Sequence, residues 1–542
     1  GYFQIVPRTP YQVSRRYRDN SNVLETRFET DSGSVLLTES INSTLAGRLP
    51  WCELARRIEG VSGEVELAIT LRFGTAAETR SPWVADNEKG KVFHIAEIMA
   101  MFRTSEDIQI TELDDEQVCA TLRTTAGSRS LCALLVTEKE PLAVPPLEAI
   151  DQRIETSHTG WTSWVESLRY AGSYPALVKR SALSLKFLWY SPTGALAAAA
   201  TTSLPEGIGG EKNYDYRYAW VRDACLIIKA FVYIGALEDC KAAFSWLSQT
   251  IMRHGVRLRA CYALNGDEVP AERYPPLSGY KNSQPVRVGN NARDQLQLSM
   301  YGDMLVTAQH FIEAGHVLDI TTSRELANCC ADHWRQKDCG IWELPELQHY
   351  THSKMACWMA LDRAVALAES QHIEPTWLGR WQRERDRIRD WIESHCWSEQ
   401  QQAYLFYAGS DDRLDASLAL VHGYGNAVNP QRMLSTYRAI QQALGDGSAM
   451  LYRYSGVREE ESTFLACAFW LVEAWAEMGE TGQAEQAMQE ILDTLNGHGN
   501  VDIFNEMYDV RSQSWRGNMP QGLSHLALIC AAQALSESQS SA

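Results

Sequence analysis

Apolar and polar residues follow two different rhythms along this chain. Over residues 1–150 they alternate in short runs, at 34–37, 65–73, 91–95 and 130–136, separated by polar or glycine-containing turns. A period of two sends successive side chains to opposite faces of a strand. The stretch 1–150 is therefore expected to form an antiparallel β-sandwich domain. Val144-Pro145-Pro146 is turn chemistry, and 147–166 reads as the start of a linker, placed at 151–173. The chain opens on Gly1-Tyr2-Phe3, with no Met and no secretory pattern. That opening reads as the interior of a folded unit, so the sandwich is expected to lack its first strands.

From about residue 174 the apolar period lengthens to about 3.6. Amphipathic segments follow at 174–189, 222–234, 237–252, 292–314, 322–338, 352–369, 375–395, 413–422, 430–443, 461–478, 481–495 and 519–536. Twelve helices taken in pairs suit a mainly α architecture: an (α/α)6 toroid over 174–542, an inner ring of six inside an outer ring of six. A pocket is expected where the inner helices start. The long connections 253–291, 339–351 and 496–518 are where a rigid scaffold would present functional side chains.

Composition narrows the function. The chain has 542 residues, 45 % apolar and 22 % charged, which is ordinary for a globular protein with a sizeable core. Its formal net charge is −18, and no long basic run is present, which argues against nucleic acid and anionic membrane partners. No apolar run reaches the roughly 18 residues of a membrane span. The thirteen cysteines are scattered without a CxxC pair, so zinc-ribbon and thioredoxin-type sites are not suggested. Free thiols in a reducing compartment fit best, and a cytoplasmic location is expected. The oligomeric state is not legible.

Three segments carry candidate chemistry. The first, 201–223, is a loop rich in glycine, aromatics and charge that runs straight into an apolar helix. Aromatic faces stack on sugar C–H surfaces, while Arg and Asp take hydroxyls in charge-assisted bonds. Tyr216, Trp220, Arg222 and Asp223 are its candidates, although Asp223 also suits a helix N-terminus as a dipole-stabilising carboxylate. The second holds Trp342-Glu343-Leu344-Pro345, where apolar neighbours would raise a carboxyl toward general-acid use. His349 and His352 follow without a third ligand at a plausible spacing, so no metal is expected. The third holds Phe504-Asn505-Glu506-Met507-Tyr508, with Trp515 beyond it. Arg453, in Tyr452-Arg453-Tyr454, is a further sugar ligand or else a salt-bridge partner of the acidic run at 459–461. Glu343 and Glu506 form a candidate acid–base pair. Roughly 6.5–9.5 Å between their carboxyls would admit a water and give inversion, whereas about 5 Å would make one a nucleophile.

At this point the sequence resembles glycoside hydrolase family 15, the glucoamylase family, and its bacterial branch in particular. The resemblance lies in TTSLPEGIGGEKNYDYRYAWVRD at 201–223, GIWE at 340–343 with HYTHSKMACWMALDR at 349–363, ESTFLACAFWLV at 461–472 and GNMPQGLSHLAL at 517–528. Val23-Leu24-Glu25-Thr26-Arg27-Phe28 resembles the β-sandwich that precedes the barrel in bacterial members. The resemblance implies an inverting two-carboxylate mechanism with Glu343 as general acid and Glu506 as general base. It implies that Arg222 and Asp223 grip the terminal glucose, with Tyr216, Trp220, Trp342, Arg453 and Trp515 around it, and that no cofactor is needed.

Three departures, Gln284 for a common Arg, Asn505 and Met507 around the base, and Leu344–Gln348 after the acid, fall where the leaving sugar would sit. The expected activity is exo-acting removal of β-glucose from α-1,4- or α-1,6-linked gluco-oligosaccharides. Trehalose hydrolysis is the nearest alternative. A catalytically silent sugar-binding relative and a phosphorylase are the other readings.

Overall fold

The computed structural model describes all residues except 44–48, 75–81, 89, 139, 317–319, 446–447, 497–500 and 542. The chain forms two compact units, Gly1–Ser167 with Pro275–Leu277, and Leu168–Tyr274 with Ser278–Ala542.

The first unit holds eleven strands: β1 (Tyr2–Pro7), β2 (Gln12–Tyr17), β3 (Leu24–Thr30), β4 (Gly33–Ile41), β5 (Cys52–Arg72), β6 (Trp83–Asn87), β7 (Gly90–Ile95), β8 (Ile98–Thr104), β9 (Gln109–Leu113), β10 (Gln117–Thr125) and β11 (Arg129–Glu138). All their pairings are antiparallel, and β5 organises them. Its first half pairs with β4 and β11, and its second half with β1 and β10. Val65, Leu67, Ile69 and Leu71 alternate inward along the second half, the pattern of a half-buried strand. The two halves meet at Gly60–Gly63, where Gly63 has φ +60° and a Cβ would lie 2.0 Å from the Ser32 carbonyl oxygen. Only glycine fits so close a left-handed crossing. Ile5, Phe28, Val35, Ile58, Leu67 and Leu122 share one core.

The stretch expected as a linker is largely helical: α1 (Leu147–Ser167) lies on this sheet. Ile150 and Ile154 are fully buried with Val23, Ala55 and Leu135. Each such side chain contributes about 1.5–3 kcal/mol on burial. The buried Arg57 guanidinium reaches Asp151 at 2.7 Å and Glu155 at 2.5 Å.

The second unit holds α2 (Pro175–Phe187), α3 (Val221–Tyr233), α4 (Leu237–His254), α5 (Met300–Glu313), α6 (Ile320–His333), α7 (Thr351–Glu369), α8 (Leu378–His395), α9 (His422–Val428), α10 (Pro430–Leu444), α11 (Leu465–Glu477), α12 (Thr481–Leu495) and α13 (Gly522–Ser541). Burial sorts them into two rings. Every residue of α11 but its last is buried, whereas α8 buries only Trp381, Glu384, Ile388 and Ile392. A helix apolar all round belongs inside, and one with a single stripe belongs outside. The inner helices pack in sequence, α3 on α5, α5 on α7, α7 on α9, α11 on α13, and α13 back on α3. A 3₁₀ turn, Ala416–Val421, joins α7 to α11 just before α9. Helices α4, α6, α8, α10, α12 and α2 cover this ring, giving the (α/α)6 toroid expected from the sequence.

Two segments differ from expectation in detail. The 413–422 segment is the 3₁₀ turn running into the short α9, started by the Asp415 side chain accepting from the Ser417 N–H. The 292–314 segment is a 3₁₀ turn, Asn291–Asp294, then α5, with five residues between. Among the described residues no helix is long and apolar enough to cross a membrane.

Candidate active site

The starts of the inner helices surround a cavity of ≈ 440 Å³, lined by residues 198–223, 272–295, 341–345, 453–470 and 506–523 in part. Both candidate carboxylates line it. So do Tyr216, Trp220, Arg222, Asp223, Trp342 and Arg453. Trp515 does not. It is half-buried and packs on Phe504 and Tyr508, with ring centroids 5.9 and 5.3 Å away. Gln284 is exposed and also lies outside the lining.

Glu343 sits in the loop between α6 and α7, at φ +62°. A non-glycine residue in that region is held by its surroundings at a cost, and such residues gather at functional sites. Its Oε1 accepts from the Trp220 indole N–H at 2.7 Å and from Gln297 at 3.4 Å, while Gln295 donates to its carbonyl at 3.0 Å. Both glutamines come from the break between the 3₁₀ turn and α5. The continuous periodicity of 292–314 conceals that break. Arg222 lies 4.0 Å from Glu343 Oε1. Burial pushes the Glu343 carboxyl above its ordinary pKa; Arg222, Trp220 and Gln297 oppose that rise without cancelling it. A rise is the direction that general-acid use requires of a carboxyl.

Arg222 and Asp223 stand in the first turn of α3. Arg222 donates through Nε and Nη2 to Asp223 Oδ2, at 3.1 and 3.0 Å, and through Nη1 to the Ile341 carbonyl at 2.9 Å. Asp223 is 1 % exposed; it stands at a helix start and lines the cavity. The Trp342 indole donates to Asp415 at 2.8 Å, which fixes its ring against the Arg453 guanidinium, 5.5 Å away. His352 is buried outside this lining, and His349 is half-buried with its ring edge-on to Trp391. Among the described residues no group of three His, Cys, Asp or Glu is placed to hold a metal.

Glu506 enters from the loop before α13. Its backbone is pinned on both sides: its N–H donates to the Asn518 carbonyl at 3.1 Å, and its carbonyl accepts from Leu465 at 3.1 Å. Gly517 lies against its side chain, so close that a Cβ there would stand 2.5 Å from Glu506 Oε2. Asn505 donates to the Gly517 carbonyl at 3.0 Å, and Met507 is buried in the strand Met507–Asp509. Both departures around Glu506 are thus structural supports of this loop. Burial pushes Glu506 well above the usual carboxylate range. Glu206 pushes it further, while Arg453 and a hydrogen bond from Tyr216 pull it back.

Arg453 forms the salt bridge expected with the acidic run, through Glu461. It lines the cavity, and it is clamped by Glu461, through Nε at 2.7 Å, and by Glu206, through Nη2 at 2.9 Å. Glu206 and Lys212 are parts of the site that reasoning from the sequence did not single out. Their signal was present only as two charges inside an already dense loop.

A model of the glycosyl hydrolases family 15 matches residues 172–497. The chain is 30 % identical to a trehalase of Thermoplasma acidophilum, over 99 % of this chain and 93 % of the relative. It is 32 % identical to a trehalase of Mycolicibacterium smegmatis, over 98 % and 83 %. Among solved structures, a bacterial glucoamylase complexed with acarbose shares the fold with a TM-score of 0.75, at 14 % identity, over 97 % of this chain and 86 % of that one. Matched by the family model over more than half its length and by such relatives over nearly all of it, the chain is a glycoside hydrolase acting on carbohydrate and belongs to glycosyl hydrolase family 15.

Proposed function

We propose that the chain hydrolyses α,α-trehalose to two glucose molecules with inversion at one anomeric carbon. Glu343 gives its proton to the bridging oxygen as the C–O bond breaks, and ionised Glu506 takes a proton from a water attacking the opposite face. The released pair is one β-glucose, from the attacked ring, and one α-glucose, from the leaving ring. Arg222, Asp223 and Arg453 hold the attacked ring by its hydroxyls. The observation that carries this mechanism is the shared cavity: Glu343 and Glu506 line one space with the Arg222–Asp223 pair. Its ≈ 440 Å³ lies toward the small end of the usual range for small-molecule sites, about 300–1,000 Å³.

The choice of trehalose over longer α-glucans rests on the relatives. Those from three further organisms are also trehalases, including one of Mycobacterium tuberculosis at 32 % identity over 98 % of this chain. The sequence alone favoured α-1,4- or α-1,6-linked gluco-oligosaccharides, because the glucose-gripping residues are common to both readings. The thirteen cysteines, all free and mostly buried, support a reducing, cytoplasmic setting.

The test is a panel of trehalose, maltose and isomaltose without added phosphate, read by NMR within the first minutes. Trehalose is expected to turn over fastest, giving α- and β-glucose in equal initial amounts. Two α-glucoses would mean retention, and faster maltose turnover would return the substrate to the glucan class. Dependence on added phosphate would make the enzyme a phosphorylase.

A further inference from the structure

Behind Glu506 lies a cluster whose charges do not balance. Glu206, Glu461 and Glu506 are 1 %, 6 % and 2 % exposed. They share two cations, Arg453 and Lys212. Arg453 bonds Glu461 and Glu206, and Lys212 bonds Glu461 at 2.8 Å and the more exposed Glu460 at 2.9 Å. Two carboxylate oxygens, Glu206 Oε1 and Glu506 Oε2, are buried without a hydrogen-bond partner among the described residues. The backbone brings these two glutamates together. The Gly517 N–H donates to the Pro205 carbonyl at 2.8 Å, and Ser462 donates to the Glu206 carbonyl at 3.2 Å. Gly517 is the same residue that lies against the Glu506 carboxylate.

We propose that Glu206 is a positioning residue for the base: it anchors Arg453 and keeps a negative charge against Glu506, which makes Glu506 a stronger base. A weak base near its working pH gains from a like charge that raises its hold on a proton. Burial raises Glu206 itself to about 7; Glu461 adds to the rise, and Arg453 and Lys212 oppose it. The titratable and charged groups around the pair are Lys212, Tyr214 and Tyr216 from the 201–219 loop, Arg453, Glu460 and Glu461 from the segment before α11, and Glu343 across the cavity.

The inference rests on Glu506 being the base proposed above, and its test separates the two. The pH profile of kcat/KM on trehalose is measured for the unaltered enzyme and for Glu206→Gln, Glu206→Asp, Lys212→Gln and Glu506→Gln, each checked for its melting temperature. Glu206→Gln is expected to move the acidic limb down by about one pH unit and to lower plateau kcat several-fold. Glu206→Asp, which keeps the charge, is expected to hold the limb within about 0.3 unit of its place. Lys212→Gln removes a compensating cation and is expected to move the limb up. A folded Glu206→Gln enzyme with reduced kcat and an unmoved limb would reduce Glu206 to a merely structural part and overturn the inference. Should that variant not fold, an unmoved limb in Lys212→Gln does the same. Normal turnover by Glu506→Gln would instead remove the base assignment itself.

Discussion

At the N-terminal end of the inner ring three buried carboxylates share two cations. Toward the C-terminal end Lys229 of α3 meets Glu473 of α11 at 2.7 Å. That second end lines another cavity, of ≈ 350 Å³, with Asp303, His310, His352, Arg363 and His422 in its wall. There Lys229 and Glu473 are matched, whereas Asp303 is buried with its Oδ2 unpartnered among the described residues and is raised by burial to about 7. Lys229 holds Glu473 down at about 2, and His422 adds to it from 3.7 Å. The same scaffold therefore treats buried charge in two ways. A matched pair ties α3 to α11, whereas an unmatched group keeps its proton affinity displaced and is available for proton transfer. The difference teaches that buried charge as such does not mark chemistry in this barrel: a paired carboxylate such as Glu473 is held down, and one short of cations such as Glu506 is pushed up.

The contrast can be broken by substitution. Glu506→Gln is expected to lower kcat by about 10²–10⁴ while leaving the melting temperature unchanged or higher, since a buried charge without a full set of partners is removed. Steady-state kinetics beside calorimetry checks this. Lys229→Met is expected to show the reverse, a stability loss of about 3–5 kcal/mol from stranding Glu473, with kcat of the folded enzyme nearly unchanged. Pairing it with Glu473→Leu should recover most of that loss. If Lys229→Met instead abolished turnover without lowering stability, the division between the two ends would collapse.

A third test is a dependence of stability on pH. Burial holds both His352 and His525 down to about 3. Each stays neutral in the folded chain while the unfolded chain takes a proton below about 6.5. The unfolded state then binds more protons, so stability falls with falling pH, by about 1.4 kcal/mol per unit for each histidine, between about 6.5 and 3. His525 has a visible reason to stay neutral: its Nε2 accepts from the Phe504 N–H at 3.0 Å, two residues before Glu506. Chemical denaturation at a series of pH values measures the slope.

Much of this arrangement is legible in the sequence, and the illegible parts have physical causes. The helix pairs announce themselves through apolar stripes, and Glu343 and Glu506 through aromatic neighbours in loops that precede helices. Helix α1 does not, because its attachment is partly ionic and draws on Arg57, 94 residues away from Asp151. Gln295 and Gln297 are hidden by a periodicity that runs on through a backbone break. Glu206 is hidden by distance: nothing at position 206 says that Arg453, 247 residues later, will bind it. Trp515 is the opposite case: its place beside a functional loop suggests a sugar contact, whereas its ring packs on Phe504 and Tyr508 outside the cavity lining.

The closing contact of the inner ring, α13 against α3, also sets a timetable for synthesis. Helix α13 leaves the ribosome about 300 residues after α3, which at about 5–20 residues per second is roughly 15–60 s. Throughout that interval α3 has an apolar face whose final cover does not yet exist. The nascent barrel is an open arc with two sticky ends, and it depends for that time on chaperones or on transient self-packing to stay out of aggregates.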